Sequence, residues 1–159
     1  QRETPLEFVQ RMAREKVFAV RHQHGLEDDT WVIGGDTVVV INGEVLGKPT
    51  NHSDALQMLV KLSGQTHAVL SSIAVSHRDE IKVSVNETLI TFRNVSMLEF
   101  ERYLESDEAY DKAGGYGIQG TAARWVSNIN GSYFAVMGLP VFELHQLLET
   151  MNFFHPTYN

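Results

Sequence analysis

The strongest constraint on this chain is an apolar run broken by a single carboxylate. Trp31-Val32-Ile33 leads into Gly34-Gly35-Asp36, then Thr37-Val38-Val39-Val40-Ile41, and Asn42-Gly43 precedes Glu44-Val45-Leu46. Consecutive β-branched residues favour a strand, and Asn-Gly favours a two-residue hairpin turn. The segment therefore predicts a buried strand, interrupted by a glycine pair, with a short return partner. A carboxylate there is costly to bury unless it meets a cation, a metal or a hydrogen-bond donor. The glycines would let a ligand approach the backbone closely.

Helices are expected on either side of this hairpin. Thr4, Pro5 and Glu7 form a capping-box start, and Leu6, Val9, Met12, Ala13, Val17 and Val20 follow at helical spacing. Asn51 or Ser53 starts a second helix that Gly64 stops, Ser96 caps a third, and Pro140 opens a last one. Thr66–Ser76 and Ile81–Phe92 read as long strands joined by a turn at His77–Glu80. Trp125–Ile129 and Ser132–Met137 read as two more around Asn130-Gly131. Between them, Asp111-Lys112-Ala113-Gly114-Gly115-Tyr116-Gly117-Ile118-Gln119-Gly120 is glycine-rich and aperiodic. Helices interleaved with hairpins predict an α/β fold on a mixed sheet. At 159 residues the whole of 1–159 is expected to form one domain.

Composition removes several function classes. The net charge of −7 gives no basic face for coating nucleic acid, although a local basic pocket for a small anion remains open. No cysteine is present for thiolate zinc sites or nucleophiles, and no apolar run reaches the length of a membrane-spanning helix. The seven histidines lack metalloprotease spacing, and no Walker A loop, G-x-G-x-x-G or G-x-S-x-G occurs. Asn-x-Ser/Thr triplets at Asn51, Asn86, Asn94 and Asn130 read as chance occurrences in a cytosolic chain.

The remaining polar residues point to an anion pocket. Lys48, in Gly47-Lys48-Pro49, follows the hairpin, which brings it toward the end of the Asp36 strand. An acid beside a lysine suits phosphoryl chemistry: the acid holds a metal or activates water, and the ammonium offsets phosphate charge. Asp111 and Lys112 repeat the pairing at the head of the glycine-rich loop. Gln119, near its end, carries an amide able to read a base edge as donor and acceptor. The bland alternatives are a strand-end Asp satisfied by turn amides, a solvated loop lysine, and a surface turn. Glu15 and Lys16 would by themselves be a solvated helix pair.

Taken in order, six stretches resemble the Maf family of nucleoside triphosphate pyrophosphatases. They are Ala13-Arg14-Glu15-Lys16; Gly34 to Val40; Gly43 to Pro49; Leu62-Ser63-Gly64-Gln65-Thr66-His67; Asp111 to Gly120; and Ile129 to Tyr133 with Val136 to Pro140. The resemblance implies a Maf/Ham1 (inosine-triphosphatase-like) fold, two lobes around a long mixed sheet with a central cleft. It implies a cytoplasmic enzyme that releases pyrophosphate from a nucleoside triphosphate with Mg²⁺ or Mn²⁺. Asp36, in the family's G-A-D-T motif with Gly35 replacing Ala, would be proton acceptor and metal ligand. Lys16, Lys48 and Lys112 would hold the triphosphate. Thr37 and Gln119 match positions associated with substrate choice, and the Tyr116 to Gly120 form resembles the dTTP/UTP branch. The alternatives are a 7-methyl-GTP pyrophosphatase and, in another class, a septum-formation inhibitor acting through a partner. A homodimer is the expectation by analogy. The family also begins with a phosphate-binding Ser-x-Ser-Pro-Arg-Arg loop followed by an acidic residue. This chain, opening at Gln1, starts downstream of both, so an N-terminally incomplete domain with weak turnover is expected.

Overall fold

A capping box opens the first helix as expected. In the computed structural model, which describes residues 3–154 and so leaves Gln1 outside, Glu7 N–H donates to Thr4 Oγ1 at 3.2 Å. Thr4 N–H donates in return to Glu7 Oε2 at 2.8 Å. The helix α1 runs Pro5–His24 and ends on Gly25 in the left-handed region at φ 52°. Its buried stripe is Val9, Ala13 and Val17.

The sheet has five strands: β1 (Val32–Ile41), β2 (Glu44–Leu46), β3 (Thr66–His77), β4 (Glu80–Phe92) and β5 (Val126–Asn130). Their order is β2-β1-β3-β4-β5. The expected α/β architecture is present, and the four pairings described are all antiparallel. β2 covers β1 only from Val39 to Ile41, so among the described residues the outer edge of β1 from Val32 to Val38 is unpaired.

Alternation divides β1 between two packing faces. Val32 and Val38 pack beneath α1, with Ala74 and Leu70 of β3 beside them. Val39 and Ile41 point the other way, into the main core. That core includes Leu59 and Leu62 of α2 (His52–Leu62), Phe100 and Tyr103 of α3 (Met97–Leu104), and Trp125. Edge-to-face contacts join Trp125 to Phe92, Phe100 and Tyr103, with ring centroids 6.0, 5.2 and 4.8 Å apart.

The segment 132–137 departs from the strand reading. It forms a short helix, α4 (Tyr133–Val136), whose start is capped by Ser132 Oγ accepting from Ala135 N–H at 3.2 Å. The reason lies on the neighbouring strand. Gly131, at φ 138°, sits so close to Thr88 that an added Cβ would come within 2.5 Å of its hydroxyl oxygen. Ser132 N–H donates to that hydroxyl at 2.9 Å, which draws the chain off the sheet. The last helix, α5 (Val141–Thr150), follows Pro140 as expected.

Candidate active site

All seven side chains singled out from the sequence line one cavity of about 760 Å³: Lys16, Asp36, Thr37, Lys48, Asp111, Lys112 and Gln119. It adjoins the open edge of β1, whose residues Gly35 to Val39 contribute to the wall from both strand faces.

One charged pair joins α1 to β1. Lys16 Nζ donates to Asp36 Oδ1 at 2.6 Å and to the Gly35 carbonyl at 3.1 Å. The Asp36 side chain is only 18% exposed and Lys16 50%, so the acid is held inside the wall and the ammonium reaches in from the helix. Lys16 is therefore part of the site rather than half of a solvated Glu15 pair; Glu15 pairs instead with Arg11 at 2.9 Å. The second Asp36 oxygen has no hydrogen-bond partner among the described residues.

Behind the acid, the Thr37 hydroxyl bonds that of buried Ser71 at 2.9 Å, fixing its rotamer. Lys48 is exposed and makes no ion pair or hydrogen bond among the described residues. An unpartnered ammonium on a cavity wall favours an anionic occupant.

The opposite wall is the glycine-rich loop. Lys112 Nζ donates to Asp111 Oδ2 at 2.7 Å. This hydrogen bond, helped by the nearby charge of Lys48, holds the Asp111 carboxyl below its usual range. Gly114 (φ 71°) and Gly115 (φ 76°) both adopt left-handed backbone. Gly114 N–H donates to the Gly47 carbonyl at 3.0 Å, tying this loop to the segment that carries Lys48. Gln119 is exposed to the cavity.

Sequence reasoning gave no role of their own to Glu108, His67 or Tyr116, although the last two fall in stretches that carry the family resemblance. Glu108 lines the cavity, and its Oε2 accepts from Thr121 N–H at 3.2 Å. Its Oε1 is buried without a partner among the described residues, beneath Gly120, where any Cβ would overlap it. It sits in an irregular acidic stretch with no periodicity to mark it. Tyr116 reaches from the loop to His67 on β3, and a pair so distant in sequence leaves no local signal.

Among the described residues no cluster of three His, Asp or Glu side chains is suited to enclosing a metal ion. Asp36 offers one oxygen-donor side chain. That suits a hard cation of the Mg²⁺ type, which binds through one or two carboxylates and takes further ligands from phosphate and water.

The sequence profile described as Maf-like protein matches residues 1–151. The chain belongs to the Maf family. Relatives match across almost the whole of this chain and about three quarters of their own length. A dTTP/UTP pyrophosphatase of Hydrogenovibrio crunogenus is 45% identical over 152 residues, covering 96% of this chain and 79% of the relative. That of Nitrosospira multiformis is 47% identical over 151 residues, covering 92% of this chain and 72% of the relative. That of Escherichia coli is 45% identical over 150 residues, covering 94% and 75%. No helix among the described residues of this Maf protein is long and apolar enough to cross a membrane.

Proposed function

We propose that this Maf protein hydrolyses dTTP and UTP to the nucleoside monophosphate and pyrophosphate. The observation that carries this reading is the convergence of Asp36 with Lys16, Lys48 and Lys112 around one cavity, whose far wall presents Gln119. A triphosphate fits that arrangement because Lys48 has no counter-ion among the described residues, and Lys16 and Lys112, each paired to one carboxylate, keep further N–H donors for phosphate oxygens.

The chemistry is in-line attack of water on the α-phosphorus. Asp36, anchored through one oxygen by Lys16, orients the water with the other and accepts its proton. Lys16, Lys48 and Lys112 offset the charge that develops on the phosphates and on departing pyrophosphate. Where Mg²⁺ or Mn²⁺ is bound, the free Asp36 oxygen would hold the ion instead of the water, and the ion would supply Lewis-acid stabilisation of the phosphates. Thr37 and Gln119 face the nucleotide as selectivity residues. A cytoplasmic location and a homodimer belong to the same proposal by family likeness.

The test is pyrophosphate release with Mg²⁺ across dTTP, UTP, CTP, ATP, GTP and 7-methyl-GTP. It is run on this chain and on a version preceded by the family's Ser-x-Ser-Pro-Arg-Arg segment. Release from dTTP and UTP in either version supports the proposal. Release from 7-methyl-GTP alone moves the substrate to the modified purine. Silence from both versions on every nucleotide overturns the enzymatic reading in favour of partner binding in cell-division control.

A further inference from the structure

We propose that His67 is a positioning residue for nucleobase selection, acting through the hydroxyl of Tyr116. The inference rests on the pyrimidine triphosphate reading above and deepens it.

His67 is 2% exposed and Tyr116 5%, and His67 Nε2 lies 2.6 Å from Tyr116 Oη. Phe92 closes the cage, packing edge-to-face on His67 at 5.0 Å and on Tyr116 at 4.8 Å between centroids. His67 Nδ1 is buried and has no partner among the described residues. Either ring tautomer leaves one donor and one acceptor of the pair over, so the bond holds Tyr116 whichever atom donates. Burial keeps the imidazole neutral.

The need for such a fixture follows from Gln119. Uracil and thymine present an acceptor at O4 and a donor at N3, whereas cytosine presents a donor at N4 and an acceptor at N3. A side-chain amide can satisfy either edge by turning its oxygen and nitrogen over. Gln119 alone therefore does not separate UTP from CTP; the backbone that carries it must hold one geometry. That backbone contains glycines at 114, 115, 117 and 120 and has little stiffness of its own. Tyr116 and Ile118, three residues and one residue before Gln119, are both buried in the core, and Tyr116 is the one that also hydrogen-bonds β3. Its hydroxyl bond to β3 sets where the reading edge stands.

The experiment measures Kd for UTP and CTP without divalent metal, and kcat and KM with Mg²⁺. It uses whichever of the two versions above turns over UTP, and compares wild type with Tyr116→Phe, His67→Leu, His67→Gln and the double variant Tyr116→Phe/His67→Leu. The expected result is a three- to tenfold loss of the UTP-over-CTP Kd ratio in Tyr116→Phe and in His67→Leu, about the worth of one hydrogen bond. The change should appear in KM for UTP more than in kcat. His67→Gln, whose amide oxygen can accept from Tyr116, should recover most of the ratio. The double variant should lose no more than either single one. A ratio unmoved in folded Tyr116→Phe, with wild type selective, overturns the proposal and leaves the enzymatic reading standing. Equal weakening of both nucleotides, without rescue by Gln, assigns His67 a structural part only and also overturns it. Wild-type protein without preference for UTP over CTP defeats the dTTP/UTP reading and the proposal together.

Discussion

Val17 of α1 rests in the space above Gly34 that any other residue would fill: a Cβ at Gly34 would stand 2.8 Å from Val17 Cγ2. The glycine pair thus serves helix packing and sheet packing. Gly34 admits the helix, while a Cβ at Gly35 would come within 2.8 Å of the Ser72 carbonyl on β3. Lys16 precedes Val17, so this close approach also delivers the ammonium to Asp36. Gly34→Ala should overpack the α1–β1 contact and cost about 1–3 kcal/mol. Thermal unfolding checks this, and a melting temperature equal to wild type would count against it.

Asp36→Asn keeps the shape of the side chain and removes the proton acceptor. The expected loss is roughly 10²–10³-fold in kcat, equivalent to about 2.7–4 kcal/mol, the usual range for removing one group that stabilises a transition state. Circular dichroism should show the fold retained. Wild-type turnover in a folded Asp36→Asn protein would remove Asp36 from the mechanism.

Lys48 makes no ion pair among the described residues, so Lys48→Ala should leave stability within about 0.5 kcal/mol of wild type. Its cost should fall on the nucleotide instead. Loss of one charged hydrogen bond, worth about 1.5–3 kcal/mol, weakens triphosphate binding roughly 10- to 100-fold. Isothermal titration with UTP reads this directly. The same variant should flatten the dependence of affinity on salt concentration.

Burial pushes the His67 imidazole down to about 4. In the unfolded chain it titrates near 6.5. Between these values the unfolded chain binds a proton that the folded chain refuses, so stability rises with pH across that window. The contribution of neutral His67 is fully present above about pH 6.5 and is lost as pH falls to about 4, on the order of 3 kcal/mol in all. Denaturant titrations of wild type and His67→Gln from pH 4 to 7 isolate it. The difference between the two proteins should shrink as the pH falls, and a difference independent of pH would refute the assignment.

What the sequence revealed was what local spacing encodes. The capping boxes at Thr4 and Ser96, the Asn42-Gly43 hairpin and the long β3–β4 pair all depend on neighbours a few residues away. The cavity residues were legible because acid, lysine and amide stand out against apolar or glycine-rich surroundings. Resemblance to a family added Lys16, which by helical pattern alone is a surface residue. Contacts between distant segments were not legible. Ser132–Met137 has the composition of a strand, and its departure from the sheet goes with a contact to Thr88, 44 residues away, together with the Ser132 cap. His67 and Tyr116 lie 49 residues apart, and each alone reads as an ordinary core residue. Glu108 shows its place only once Gly120 is folded against it.

Among the described residues the edge of β1 from Val32 to Val38 is unpaired, which bears on self-association. A bare strand edge is a template on which another copy can add a strand, and Val32 to Val38 would offer an adhesive stretch if it were all β-branched. Asp36 sets a charge in the middle of that edge, and the two glycines before it remove the side chains a zipper would need. The carboxylate placed to work on a nucleotide is, by its position alone, also a guard against aggregation.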